Sequence, residues 1–219
     1  MEWKRIEDAL APYGLITRGG FQVTAADNLG DGIRSLVLVG NAGPAMWRVF
    51  EQQRTPHANA MDIWTRDVLE RVAVELDAAV RFPFGGPPWH PFQRWAQRAE
   101  PVFSSPIMLL IHPEYGLWHG YRAALLFDEE IALPAPARAV SPCDSCGERP
   151  CLSACPVAAF DGTGYDVPAC AAFLETAEGT DCMSNACAAR RACPVGADYR
   201  YDQAQAAFHM TAFQRARRD

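Results

Sequence analysis

Residues 141–160 read SPCDSCGERPCLSACPVAAF, and residues 180–194 read TDCMSNACAARRACP. With Cys170 between them, these stretches hold all eight cysteines of a 219-residue chain; none lies before Cys143. The first spacing is Cys143-x2-Cys146-x4-Cys151-x3-Cys155-Pro156, and the second is Cys182-x4-Cys187-x5-Cys193-Pro194. The bacterial iron–sulfur run is C-x2-C-x2-C-x3-C-P, in which the fourth cysteine serves the other cluster of a pair. The first half matches that run except for two extra residues within Gly147–Pro150. Three thiolates on one tight loop can reach three irons of a cubane. The proline then stops the loop and turns the fourth thiolate towards a second cluster.

Two plainer readings compete. Disulfide frameworks belong to short secreted chains that lack a sufficient core; this chain is long and 49% hydrophobic. Structural zinc also uses C-x2-C pairs, but zinc ribbons need neither a Cys-Pro closing each half nor the odd Cys170. Iron–sulfur is the best match, and it matches the first half more closely than the irregular second.

Composition narrows the function classes. The formal charge is −6 and the pI about 5.4. The acidic excess divides evenly at Cys143, with sixteen acidic and thirteen basic residues before it and ten and seven from there on. No basic footprint for nucleic acid or anionic lipid stands out. The opening MEWKRIEDAL lacks the apolar run of a signal peptide, and no stretch approaches the length of a membrane-spanning helix. Metal-binding thiols want a reducing compartment, so a cytoplasmic protein is expected.

Along the chain, Trp3, Ile6 and Leu10 share one face of a helix over residues 2–11, which Pro12-Tyr13-Gly14 ends. Leu15 to Thr24 reads as a hairpin about Gly19-Gly20, and Ile33 to Val39 as a buried strand. Gly40-Asn41-Ala42-Gly43-Pro44 then opens a helix to about Gln53. A glycine-rich turn there can cradle phosphate, but it lacks the Lys-Ser/Thr ending and the three-glycine fingerprint, so a helix cap is the better reading. Trp64, Val68, Val72 and Leu76 make the apolar stripe of a helix over 60–78. Ala79 to Phe84 reads as a strand broken by Gly85-Gly86-Pro87-Pro88, and Phe92 to Ala99 as a short helix. Ile107–Ile111 and Leu117–Phe127 are expected to pair as antiparallel strands across a five-residue loop. Ala132 to Pro142 is a proline-rich linker, and Tyr201 to Arg218 a terminal helix with Arg215, Arg217 and Arg218 near its end. Interleaved helices and strands with an antiparallel pair argue for an α+β layer domain.

The run Ile111-His112-Pro113-Glu114-Tyr115-Gly116-Leu117-Trp118 continues through His119-Gly120-Tyr121-Arg122, with Phe21-Gln22-Val23 upstream. It resembles the cobalamin-processing (CblC-type) proteins. The same turn, followed by a proline-rich linker and a double iron–sulfur module with a lone middle cysteine, resembles epoxyqueuosine reductase; reductive dehalogenases share that architecture. The resemblance implies an α+β fold: a flavin-reductase/nitroreductase-like sheet with flanking helices over residues 1–132, then a ferredoxin-like two-cluster module with a C-terminal helix over 133–219. It implies one 4Fe-4S cluster on Cys143, Cys146, Cys151 and Cys193, and a second on Cys155, Cys170, Cys182 and Cys187. It also implies a corrinoid pocket lined by Phe21, Gln22, His112, Tyr115, Gly116, Trp118 and His119, though a His-Pro turn before aromatics is also an ordinary strand connection.

There are departures from the relatives. Epoxyqueuosine reductases carry an acidic proton donor after the strand matching Ala79–Phe84, whereas Val80 to Gln93 holds no Asp or Glu. They also continue into a helical tRNA-binding region, whereas this sequence ends 26 residues after Cys193. With the acidic pI, tRNA is a poor fit. The implied function is reduction of the cobalt of a bound cobalamin, with electrons from an external donor (reduced flavodoxin, ferredoxin or a flavoprotein) relayed by the clusters. An electron-transfer protein without a corrinoid site is the rival, and a non-redox corrinoid carrier with structural clusters is a third reading.

Overall fold

The computed structural model describes residues 1–135 and 139–217. Pro136 to Arg138 of the expected linker and Arg218 of the expected terminal helix lie outside the described residues. The chain divides into two compact units. The first comprises Met1–Pro101 and the segment beginning at His119; the second comprises Val102–Trp118 and the chain from Ala139 onward. The segment 102–118 therefore belongs with the cysteines.

In the first unit, helix α1 (Trp3–Leu10) buries Ile6, Ala9 and Leu10, and Gly14 at φ 63 turns the chain out of the short helical turn that follows. Strand β1 (Ile16–Gln22) pairs antiparallel with β2 (Ser35–Ala42), with a bulge between Thr17 and Gly20. The expected hairpin is thus one strand. Gly19 supplies the bulge's positive φ of 68, and a Cβ there would stand 2.2 Å from the Ala99 carbonyl oxygen. The glycine pair that reads as a turn is a place where backbone meets backbone.

Leu36 to Val39 of β2 are fully buried, as an unbroken apolar run requires when both faces of a strand are covered. Helices α2 (Ala45–Gln53) and α3 (Ala60–Glu75) follow. The stripe Trp64, Val68, Val72 and Leu76 is buried as its spacing demands. Trp64 donates through its indole N–H to Gln53 at 2.8 Å. Strand β3 (Ala79–Arg81) is shorter than expected, and α4 (Phe92–Ala99) buries Phe92, Trp95, Ala96 and Ala99.

The second unit opens with a two-stranded ribbon of β4 (Phe103–Ser104) and β5 (Leu110–Ile111). Strand β6 (His119–Phe127) belongs to the first unit, where it pairs antiparallel with β2 and with β3, so the four-stranded sheet runs β1-β2-β6-β3. The expected pairing of Ile107–Ile111 with Leu117–Phe127 does not form. Both edges of β6 are already taken, from His119 opposite Ala42 to Phe127 opposite Ser35 on β2 and from Ala79 opposite Leu126 on β3.

The rest of the second unit is short helices: α5 (Pro150–Ser153), α6 (Val167–Phe173), α7 (Thr180–Asn185), α8 (Ala188–Ala192) and α9 (Gln203–Arg215). Ile107, Ile111, Leu117, Phe160, Ala189 and Cys193 form its buried core. Trp118, Ala186 and Ala206 form a smaller cluster with Tyr199 and Tyr201 against it. No helix of the described residues is long and apolar enough to cross a membrane.

Candidate metal centre

Local rules place each cysteine. The Ser141 hydroxyl accepts from the Cys143 N–H at 3.3 Å and starts the loop. Arg149, in the left-handed region at φ 41, turns the chain into α5, which carries Cys151. Past Cys155-Pro156, Ala158 at φ 47 folds the backbone back, so that the Ala159 N–H donates to the Cys155 sulfur at 3.3 Å. Asp166 caps α6 through a bond from the Ala169 N–H at 2.9 Å and sets Cys170 on that helix. Ala186 at φ 70 breaks α7, which carries Cys182, from α8, whose N-cap is Cys187 and whose end is Cys193.

All eight cysteines are free thiols, and they stand in two sets of four. Cys143, Cys146, Cys151 and Cys193 line one cavity of about 280 Å3. Cys155, Cys170, Cys182 and Cys187 line another of about 260 Å3, walled by Phe160, Phe173 and Phe213. The sets cross the sequence, because Cys193 of the second half joins the first three and Cys155 of the first half joins the last three.

Burial pushes the thiols of Cys143, Cys151, Cys170, Cys187 and Cys193 above the ordinary value, and neighbouring sulfurs add to it. In every case the sulfurs that act belong to the same set of four. Donors oppose that rise: backbone N–H groups of Ala189 and Arg190 at Cys187, of Val195 at Cys193, and the Tyr165 hydroxyl at Cys170. Among the described residues, no three His, Cys, Asp or Glu side chains converge as ligands of a single metal ion.

The candidate corrinoid residues are not brought together. None of Phe21, Gln22, His112, Tyr115, Gly116, Trp118 and His119 lines either cysteine cavity. Phe21 is in the core of the first unit under the Arg98 guanidinium, which lies 3.9 Å from its ring centre. Gln22 ties β1 to the chain beyond β6, accepting from Ser35 at 2.8 Å and donating to the Ile131 carbonyl at 2.9 Å. His112 folds its own turn: its Nδ1 accepts from the N–H groups of Glu114 and Tyr115 at 3.1 and 3.2 Å. Tyr115 stacks on His112 and meets the edge of Tyr199, whose hydroxyl donates to Glu114.

Gly116 has φ +57, and a Cβ there would lie 2.0 Å from the Val195 carbonyl oxygen. Trp118 is 1% exposed, with Arg190 4.4 Å over its ring and Tyr201 at its edge. Arg190 also donates twice to the Leu117 carbonyl, at 3.0 and 2.6 Å. The turn expected to wall a ligand is therefore built into the cysteine unit. His112→Ala should cost about 1 kcal/mol, the worth of a hydrogen-bonding cap, and leave corrinoid affinity unchanged. Urea denaturation with a parallel hydroxocobalamin titration checks both, and a drop in affinity would return His112 to the pocket.

Only His119 of the seven meets a group that sequence reasoning missed. Arg18 emerges from the β1 bulge fully buried and donates to Glu100 at 2.6 and 3.1 Å, to the Asn41 carbonyl at 3.2 Å, and to His119 Nδ1 at 3.2 Å. A guanidinium has no acceptor, so His119 Nδ1 must be the acceptor and the ring proton sits on Nε2. Tyr121 donates to Glu100 at 2.5 Å. Burial first, and Glu100 with it against the opposing Arg18 charge, pushes the Tyr121 hydroxyl far above its ordinary pKa. The available signal was the Arg-Gly-Gly of a bulge, where side chains are re-aimed inward.

No family model and no curated protein matches the chain, but solved structures do. Epoxyqueuosine reductase from Streptococcus thermophilus superposes with a TM-score of 0.55 at 16% identity, covering 92% of this chain and 68% of that one. The Bacillus subtilis enzyme gives 0.53 at 17%, covering 91% and 66%. The C. elegans B12-trafficking protein CblC gives 0.57 at 13%, covering 96% and 93%. The chain shares their mixed fold of a small antiparallel sheet with flanking helices. It spans about two thirds of the length of the reductases.

Proposed function

We propose that this chain is an iron–sulfur redox protein that reduces the cobalt of a corrinoid. The observation that carries the redox half is the crossed grouping of the cysteines. Two sets of four thiols with no carboxylate or imidazole spacing between them suit soft, sulfur-bound metal. A lone tetrahedral zinc at about 2.3 Å from each sulfur would draw its ligands within about 4 Å of one another. No described group converges on a single ion in that way, and each set instead surrounds a cavity of cluster size. Cys143, Cys146, Cys151 and Cys193 would hold one 4Fe-4S cluster, and Cys155, Cys170, Cys182 and Cys187 the other.

Bound there, the clusters supply one-electron transfer at potentials tuned by charge, burial and hydrogen bonds to sulfur. The chain's own residues do that tuning. Backbone N–H donors and Tyr165 favour the thiolate forms, while Phe160, Phe173 and Phe213 keep water from the second set. The fold shared with CblC and with epoxyqueuosine reductase supports cobalamin as the substrate and an external low-potential donor, reduced flavodoxin, ferredoxin or a flavoprotein, as the partner. A cytoplasmic setting suits eight free thiols. The acidic charge of −6 argues against a nucleic-acid substrate.

A second reading has an observation of its own. The His112–Trp118 turn is consumed in packing the cysteine unit, which favours an electron-transfer protein that serves a partner enzyme and binds no corrinoid. One experiment separates the two. Protein reconstituted anaerobically with iron and sulfide is titrated with hydroxocobalamin and, in parallel, with flavin. A corrin spectral shift followed by faster Co(III) to Co(II) conversion than in free solution supports the proposal. A response to flavin alone makes it a flavin-dependent reductase, and no response to either leaves electron transfer.

A further inference from the structure

A third cavity, of about 260 Å3, lies within the first unit beyond the end of β3. Its floor is Phe82 and Phe84, stacked at 5.1 Å. The Arg66 guanidinium lies over both rings, 4.7 and 5.6 Å from their centres. A guanidinium stacked by its face leaves its edge, where all the N–H donors sit, turned outward. Arg81 and His90 complete the polar lining, with Glu70 as its one carboxylate, 3.5 Å from Arg66. Two fixed positive charges against one negative make this a locally basic hollow in a chain of net −6.

The glycines of the following loop make room for side chains. A Cβ on Gly85, at φ +79, would reach 3.1 Å from Arg66 Nη2, and one on Gly86 would strike the Trp89 ring at 2.8 Å. Trp89 thus rests on bare backbone at the rim, and it is 69% exposed, whereas Trp47, Trp64, Trp95 and Trp118 are buried. Nothing in core packing accounts for an indole held open beside two arginines.

An anion clamp beside a flat apolar platform matches a phosphate ester that carries an aromatic base. Inorganic phosphate would leave the indole unused, and a neutral aromatic would leave the arginines unused. We propose that this hollow binds the nucleotide tail of cobalamin, with Arg66 and Arg81 on its phosphodiester and Trp89 against its benzimidazole. The assignment rests on the corrinoid reading above.

Its test compares hydroxocobalamin with cobinamide, which lacks the tail, and uses 5′-AMP as a free aromatic nucleotide. Cobalamin should bind about tenfold or more tighter than cobinamide, the worth of one or two charge-assisted hydrogen bonds. Arg81→Ala and Arg66→Ala should close that gap by weakening cobalamin and leaving cobinamide unchanged. A gap below about twofold in the native protein, or one that survives both replacements, overturns the proposal while corrinoid reduction stands. If neither corrinoid binds, the corrinoid reading falls and with it the tail as occupant. In that case, AMP quenching of a fluorescence component missing in Trp89→Phe would make the hollow a site for free nucleotides, and no quenching would leave no nucleotide site.

Discussion

Cys193→Ser should leave a protein that takes up about four irons on anaerobic reconstitution where the parent takes up about eight, the difference of one cubane. The loss should fall on the set Cys143, Cys146 and Cys151, fifty residues up the chain, and spare the set to which Cys187 belongs. The reason is geometric. Cys193 lines the cavity of the first three cysteines, and its nearest acting sulfur is Cys146. A serine there is isosteric but a much poorer ligand for iron, so three thiolates and an alcohol remain. Cys155→Ser is the mirror experiment, because Cys155 stands with Cys170, Cys182 and Cys187. Iron analysis and low-temperature EPR of the two variants read the outcome. If each replacement emptied the set from its own half of the sequence, the crossed assignment would be wrong; stoichiometric zinc without visible absorbance would sink the clusters altogether.

How much could be read in advance depended on how local the chemistry was. The two cavities are lined by the same two sets of cysteines that the resemblance implies, because ligand spacing on tight loops is local. The helices of the first unit were legible for a similar reason, since Trp64, Val68, Val72 and Leu76 repeat on one face. The His112–Trp118 turn was not. Its residues look like a binding loop, but what they touch is fixed by chain far away, Val195 beneath Gly116 and Arg190 over Trp118. The Gly19-Gly20 pair was misread as a hairpin because a turn and a bulge make the same demand on glycine. Only the distant Ala99 carbonyl tells them apart.

Arg18→Met should lower the stability of the sheet unit by about 3–5 kcal/mol, the cost of leaving one member of a buried ion pair alone. The Arg18 side chain is 0% exposed and that of Glu100 10%, with 2.6 Å between them. Methionine fills much of the space of the arginine stem, so the loss is charge and hydrogen bonds more than volume. The Glu100 carboxylate would keep the Tyr121 hydroxyl as a donor but no countercharge, and the Asn41 carbonyl and His119 Nδ1 would each lose a donor. Glu100→Gln tests the same pair from the other side, by leaving a guanidinium that cannot shed its proton. The double variant should be more stable than the sum of the singles by about 1–3 kcal/mol, the coupling expected of groups in one network. Urea denaturation followed by the fluorescence of Trp47, Trp64 and Trp95, all buried in this unit, measures the cycle, and iron content is the control for the cysteine unit. A single-variant cost below about 1 kcal/mol would mean that water reaches Glu100 once Arg18 is gone. Additive singles would mean that the two charges sit together without holding each other.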